Sequence, residues 1–343
     1  MAGAVLLLLV AAALVVLQAP DRWGLAGRAP VAQVVALRGL LAVVLAVGAL
    51  AAAGVAAALV RVGARAGVPT RAGAPLAFAV AGLLALGAVG QGAVVVARGL
   101  GPGPGGAAVG DPADADLVVL SFNTLDTVDG DALARLALEH RADLVVLPET
   151  SGRTARAAAA ALTAAGRPTT ALSAPNTGHT TEGTAMLWSD DLGPPQQRRT
   201  GVPAPELGSF AVTPADAGSR APAVLAALHL RAPSGLGSMG AWREHTAAAA
   251  AVCRDTPGAV VIGDLNATLD HPGLADLGPC VDAATEVGAG GLGTWPADAP
   301  RVLGAPIDHV LADGRVWRVT GYAVLDAVGA SDHRPVLAHL TRR

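Results

Sequence analysis

The hydrophobic positions fall into two regimes along the chain. Residues 4–18 (AVLLLLVAAALVVLQ), 39–60 and 75–97 are near-continuous apolar runs, and the latter two carry no charged side chain. From residue 115 the pattern changes: short runs rich in Val, Ile and Leu alternate with Ala-rich stretches of helical period. These runs predict strands over 117–122, 143–147, 184–188, 209–213, 223–230, 259–263, 307–311, 316–324 and 335–340, and helices over 129–141, 152–165, 239–254 and 271–277. Strands interleaved with helices at this spacing read as an α/β domain with mixed sheets.

Crossing a bilayer as a helix takes about 20 apolar residues. The second and third runs meet that length, and the first reaches it if extended through Pro20, so three spans are expected over 4–20, 39–60 and 75–97. The other reading of residues 1–18 is a secretory signal peptide. Against it stand the absence of Lys or Arg ahead of the apolar run and of an A-x-A cleavage site. Residues 99–114, built largely from Gly, Pro, Ala and Asp, have linker composition. The expected organisation is therefore a membrane region over 1–98, the linker, and a domain of ordinary size over 115–343.

Basic residues near the spans set orientation. Arg61, Arg65 and Arg71 follow the second run, whereas Arg22 and Arg28 lie beside Asp21 before it. This points to a multi-pass protein of the cell membrane with a cytoplasmic second loop and the C-terminal domain outside the cytoplasm. Cys253 and Cys280 are the sole cysteines, so one disulfide is allowed but not specified by spacing. Composition adds an exclusion. Net charge is −3, charged residues make up 15%, and the C-terminal region has no basic run, which argues against a dedicated duplex-DNA enzyme, since such binding neutralises phosphates with Lys and Arg.

Polar residues punctuate the ends of the expected strands: Asn123 in SFNT, Glu149 in LPET, His229 in AALHLRAP, Asp264 and Asn266 in GDLNAT, Asp308 in IDHV, and Asp332 and His333 in SDHRPV. Taken singly, each reads as a turn or capping residue. In an extended stretch Asp264 and Asn266 point to the same side.

Taken in order, SFNT, LPET, GDLNAT, IDHV and SDHRPV resemble the signature of the endonuclease/exonuclease/phosphatase superfamily, over essentially all of residues 115–343 and none of the first hundred. The resemblance implies a four-layer α/β/β/α sandwich, two mixed sheets packed face to face with helices outside, and a divalent-metal-dependent phosphoesterase, most simply a phosphodiesterase. It implies Glu149 as a ligand of Mg²⁺ or Mn²⁺, with Asn123 supporting that shell and Asp332 adding a second carboxylate. Asp264 would activate or orient the attacking water, Asn266 would hold a phosphoryl oxygen, and His333, paired with Asp308, would stand across the phosphorus. His229 matches a second histidine that contacts phosphate or donates a proton, with Glu182 a possible carboxylate neighbour. Hard cations of this kind take oxygen ligands, and phosphoryl transfer needs its developing charge neutralised.

Four further residues stand outside the motifs. His309 should point to the opposite face from Asp308 and is read as structural or rim. His271 is expected to begin a helix in a capping or surface role. His179 lies on a polar loop and Trp295 beside Pro296, and both are candidate substrate contacts, since sugars and bases stack on aromatic faces. The expected partners are the bilayer, through the N-terminal helices, and a phosphate ester of a lipid, nucleotide or nucleic acid; nothing calls for a protein partner. The competing class is a catalytically silent binding or scaffold domain of the same fold. Against it, the carboxylates and histidines of the pattern are all present. A transporter is disfavoured because the apolar runs hold no acidic residue.

Overall fold

A computed structural model describes residues 1–66, 73–101, 111–178, 181–216 and 219–343. The chain divides into two compact units, Met1–Ala97 and Arg98–Arg343. The first is helical: α1 (Ala2–Gln18), α2 (Val31–Ala36), α3 (Arg38–Ala66) and α4 (Gly73–Ala97). By length and composition α3 and α4 are able to cross a membrane. That makes two candidate spans, not the three expected. At 1.5 Å per residue the 17 residues of α1 reach about 26 Å, short of a hydrocarbon core of about 30 Å. Its extension through Pro20 fails because Ala19 leaves the helical region and Pro20–Trp23 forms a separate 3₁₀ turn. Arg38 is buried and donates to Gln91 Oε1 (2.5 Å) and the Leu17 carbonyl (3.2 Å), so a cation opens α3 among neutral acceptors.

The second unit contains β1 (Leu117–Ser121), α5 (Gly130–Glu139), β2 (Leu144–Leu147), α6 (Gly152–Ala164), β3 (Thr169–Ala174), β4 (Thr184–Ser189), β5 (Pro195–Arg198), β6 (Phe210–Pro214), β7 (Leu225–His229), α7 (Met239–Asp255), β8 (Val260–Asp264), β9 (Cys280–Asp282), α8 (Ala283–Glu286), β10 (Asp308–Asp313), β11 (Trp317–Val324) and β12 (Val336–Arg342). They form two six-stranded mixed sheets, in the orders β11-β12-β1-β2-β4-β3 and β5-β6-β7-β8-β10-β9.

Side-chain alternation builds the layers. Leu117, Val119, Leu144 and Val146 turn inward and pack with Phe210, Val212, Leu225 and Ile262 of the second sheet. Val118, Leu120, Val145 and Leu147 turn outward onto Leu133 and Ala137 of α5 and Ala158 and Leu162 of α6. Burial on both faces is why these strands read as unbroken apolar runs.

Three strands went unpredicted: β3, β5 and β9. They are short or polar edge elements, with sequences TTALSA, PQQR and CVD, that lack a buried face on both sides. The expected helix over 271–277 is instead a series of turns around Pro272, Gly273 and Gly278, since Gly and Pro are poor in helix interiors.

Strand direction decides where the polar ends meet. β1 runs parallel to β2, and β7 to β8, so their C-terminal ends lie at one end of each sheet. β12 runs antiparallel to β1, with Ser121 opposite Val336, and β10 antiparallel to β8, with Asp308 opposite Asp264. The N-terminal ends of β10 and β12 therefore share that same end.

Candidate active site

Three buried groups occupy this end: Asp264, Asp308 and His333 bring one potential ligand atom each within 4.8 Å of one another, a set able to hold a metal ion. His333 Nδ1 lies 2.8 Å from Asp308 Oδ2, and its Nε2 lies 3.7 Å from Asp264 Oδ2. The His333 backbone N–H donates to Ser331 Oγ, whose own proton goes to the Asn123 carbonyl at 2.6 Å. The start of β12 is thus fastened to the end of β1. Burial on its own would lower the His333 pKa, but the Asp308 and Asp264 carboxylates outweigh it and hold the ring protonated, pushed up to about 10. Nδ1–H then donates to Asp308 and Nε2–H faces Asp264.

Asp264 is 1% exposed. Its Oδ1 accepts the Asn266 backbone N–H (2.9 Å), and its Oδ2 accepts Nδ2 of Asn123 (3.1 Å) and of Asn266 (3.2 Å). Burial raises its pKa, Asp308 adds to the rise, and His333 and His229 oppose it. Asn266 Nδ2 also donates to the Leu230 carbonyl (3.0 Å), which joins the ends of β7 and β8 beyond their last ladder pair.

Asn123 Nδ2 reaches Glu149 Oε1 at 3.1 Å, while its Oδ1 accepts the Leu125 N–H. As placed, Asn123 donates to both carboxylates. Glu149 follows β2 at φ 49°, held there by hydrogen bonds from Thr124 Oγ1 (3.0 Å) and the Asp126 N–H (2.7 Å) to its carbonyl. Left-handed backbone costs a non-glycine residue about 1 kcal/mol or more. Leu125, Asp126, Glu149 and Asn266 all adopt it at this end of the sandwich.

The Glu149 side chain is 14% exposed, and burial raises its pKa, with Asp332 adding repulsion while Asn123 and His333 oppose the rise. Among the described residues no Arg or Lys ion-pairs with Glu149 or Asp264; the cationic candidates within 4 Å are the imidazoles of His229, at 3.5 and 3.9 Å, and His333. Two desolvated carboxylates with a third near them and a carboxamide between form an oxygen-rich, electron-rich cluster that fits a hard divalent cation.

The remaining expected residues are placed as follows. His229, at the end of β7, stands beside Glu149 and Asp264; Glu182 is exposed on another loop. Asp332 is exposed and accepts the Trp295 indole N–H at 2.9 Å, which binds the half-buried Trp295 to the rim of the site. Arg334, buried, donates to the Pro296, Ala297 and Ala299 carbonyls and secures that loop. His179 lies outside the described residues. His271, expected as a cap or surface residue, is 1% exposed: its Nδ1 accepts the Thr268 N–H and its ring meets Trp242 edge-on at 4.8 Å.

His309 has a defined structural task. Its Nδ1 bonds Asp282 Oδ2 (2.7 Å) and its Nε2 the Ala267 carbonyl (2.8 Å), both buried. Burial lowers its pKa, but Asp282 more than reverses this, so the doubly protonated ring donates at both ends. Ala267 is the neighbour of Asn266, so this strut reaches the site. Asp282 also caps α8. The sequence signal for it was available in CVDAATE, an Asp immediately before a short helix.

Cys253 and Cys280 form a disulfide joining the last turn of α7 to β9.

Known proteins give this geometry a family. No curated protein matches the chain in sequence. Among solved structures, an endonuclease/exonuclease/phosphatase protein from Beutenbergia cavernae DSM 12333 superposes with a TM-score of 0.51 at 20% identity, covering 66% of this chain and 71% of that one. The human Nocturnin catalytic domain with bound sulfate gives 0.48 at 15%, covering 66% and 94%. A mannosyl-6-phosphatase from Bacteroides thetaiotaomicron VPI-5482 gives 0.46 at 15%, covering 66% and 99%. At these identities the first likeness speaks for the fold. The family itself is set by sequence: the model of the Endonuclease/Exonuclease/phosphatase family matches residues 120–333, well over half the chain and every motif from Asn123 to His333, and the protein belongs to that family.

Proposed function

We propose that the protein is a membrane-anchored phosphoesterase that hydrolyses a phosphate ester, most simply a diester, with a divalent cation. The observation that carries this reading is the meeting of Asp264, Asn123 and Glu149 with the His333–Asp308 pair at one end of two sheets. Glu149 would hold Mg²⁺ or Mn²⁺, with Asp332 as second carboxylate and Asn123 aligning Glu149. When bound, the cation supplies charge neutralisation at the phosphoryl oxygens.

The chain's own residues do the rest. Asp264, kept basic by burial and aimed by Asn266, takes a proton from the attacking water. The water oxygen bonds to phosphorus as the P–O ester bond breaks, and the departing oxygen takes a proton from solvent water to leave as the alcohol. Both Asn266 Nδ2 protons are engaged, by Asp264 and Leu230, so Asn266 acts on the substrate through Asp264 in place of the direct phosphoryl contact expected from sequence. His333, protonated across the neutral range, serves as a fixed cation for charge developing on the phosphoryl group. His229, with Nε2 beside Glu149, is a second phosphate contact.

The disulfide supports an oxidising compartment for the catalytic unit. Arg61 and Arg65 near the end of α3 support a cytoplasmic connection between α3 and α4, and two spans return the chain to the side it left. Both observations favour a catalytic unit outside the cytoplasm.

The test is hydrolysis of bis(p-nitrophenyl) phosphate by the full chain in detergent, with Mg²⁺, Mn²⁺ or EDTA, beside Asp264→Asn. Cation-dependent turnover lost in the variant is expected. Folded protein that binds the cation yet turns over neither this ester nor lipid, nucleotide and nucleic-acid phosphodiesters would overturn the reading in favour of a silent binding domain.

A further inference from the structure

Large apolar side chains exposed on the catalytic unit are few and unevenly placed. Among the described residues from Arg98 onward they are Leu100, Leu125, Leu236 and Val302, at 37%, 43%, 83% and 41% exposure. Single exposed hydrophobics scattered over a surface need no explanation. These are not scattered. Leu125 lies two residues beyond Asn123. Leu236 tips the loop that leaves β7 after His229 and turns through Gly235 and Ser238 into α7. Val302 sits on the loop that begins and ends at the Trp295–Ala305 bridge, where Gly293 N–H also bonds the Arg301 carbonyl. Trp295 itself bonds Asp332 at the site.

The opposite ends of the strands present a different surface. There the exposed tips are charged: Arg141, Asp190, Asp191, Arg220, Asp255 and Arg315. The active-site end also carries exposed charges, Asp126, Asp298, Asp326 and Asp332, so what sets it apart is the presence of large exposed apolar tips, all four of those on the catalytic unit among the described residues.

The chain path identifies the occupant. The membrane-length helix α4 ends at Ala97, and the very next residue, Arg98, pairs with Asp270 through two contacts of 2.8 Å. Asp270 is four residues from Asn266, at most about 14 Å of extended chain. Leu100 belongs to the same strip, which is fastened by Gly101 N–H to the Gly288 carbonyl and by Gly290 and Gly291 N–H to the Arg98 and Gly99 carbonyls. What was expected from composition to be linker is, over Gly99–Gly101, tied to the loops of the site. Leu100 is thus three residues beyond the end of a helix long enough to cross a membrane.

We infer that the loops around the active site dock on the lipid bilayer surface through Leu236, Val302, Leu125 and Leu100, and that the enzyme draws its substrate from that surface, as the phosphate ester of a membrane lipid. Docking stands on the placement of the tips alone. The substrate class rests on the phosphoesterase reading, with water cleaving a P–O ester bond of the lipid phosphate. Apolar side chains with about 40 to 80% of their surface free gain by entering the headgroup boundary, as amphipathic surface elements do.

The experiment uses the full chain reconstituted in phosphatidylcholine/phosphatidylglycerol vesicles. Cys253 and Cys280 are bonded to each other, so a cysteine introduced by Leu236→Cys, Val302→Cys or, as control, Asp191→Cys is the thiol that takes a bimane label. Nitroxide-bearing lipid is expected to quench labels at 236 and 302 several-fold more than the label at 191; equal quenching at all three overturns docking. In parallel, Leu236→Asp with Val302→Asp is expected to cut hydrolysis of phosphodiester lipid in the vesicles by about tenfold or more, with bis(p-nitrophenyl) phosphate turnover changed less than about twofold, the range expected where no contact to the reacting groups is removed. Equal loss on both substrates overturns the surface-substrate inference. A wild type that cleaves neither substrate, with the labels still quenched, leaves docking standing and removes the phosphoesterase reading.

Discussion

His333 sits between two carboxylates, its Nδ1 2.8 Å from Asp308 Oδ2 and its Nε2 3.7 Å from Asp264 Oδ2. The first contact is a hydrogen bond, and the second lies beyond hydrogen-bond reach, with the ring's Nε2–H facing the Asp264 carboxylate. With its pKa pushed up to about 10, the ring is a raised-pKa group. Its contribution to folding stability is complete below about pH 6.5, the unfolded value, and is lost as pH rises through about 10.

The same shift predicts the rate profile. Turnover should persist through neutrality and fall on the alkaline side as His333 deprotonates. Asp308→Asn removes the nearest opposing charge, so the alkaline limb should move to lower pH. A pH–rate profile of both proteins with one soluble ester checks this; an unmoved limb would detach His333 from the titration.

Removing His333 itself, by His333→Ala, should lower turnover by about 10²–10³ with cation affinity changed little. Calorimetric titration of Mn²⁺ beside steady-state kinetics separates the two. Glu149→Gln should do the reverse, losing Mn²⁺ affinity first, and Asn123→Ala, which removes the donor that aligns Glu149, should weaken binding by about 10 to 100-fold.

The His309 strut predicts a coupling. Because it holds the Ala267 carbonyl and reaches the substrate only through Asn266 and Asp264, His309→Leu should depress kcat more than KM, and His309→Gln, which keeps one donor, should recover part of the loss. In a double-mutant cycle His309→Leu and Asn266→Ala should be non-additive, with an interaction of about 0.5 to 3 kcal/mol. Additive losses would make His309 a purely structural residue.

Replacing both cysteines by serine opens a loop of sequence separation 27. The expected cost is about 3 kcal/mol, seen as a lower denaturation midpoint. Activity of the folded fraction should be retained, because β9 meets the site only through Asp282 and His309.

Much of this was open to the sequence because it depends on neighbours in the chain. Strands buried on both faces appear as unbroken apolar runs, so β1, β2, β4, β7 and β8 were foreseen; β3, β5 and β9, at or next to sheet edges, were not. The motifs carry Asp264 with Asn266, Asp308 with His309, and Asp332 with His333 as fixed neighbours, and the family match spans them. Alternation placed His309 away from Asp308, as structural or rim, without naming Asp282 as its partner.

Sequence alone fixed which side chains were available and which local stretches would be strand or helix, because period and burial are properties of adjacent residues. Only the tertiary structure decided which of them meet. Asn123 and Asp264 are 141 positions apart, and they touch because β1 and β8 end at the same end of two packed sheets. Length within α1, the disulfide between Cys253 and Cys280, the bond from Trp295 to Asp332 and the anchoring of Arg98 on Asp270 depend likewise on long-range packing. No run of residues encodes such a contact, since it is specified by the whole set of strand directions and helix breaks together.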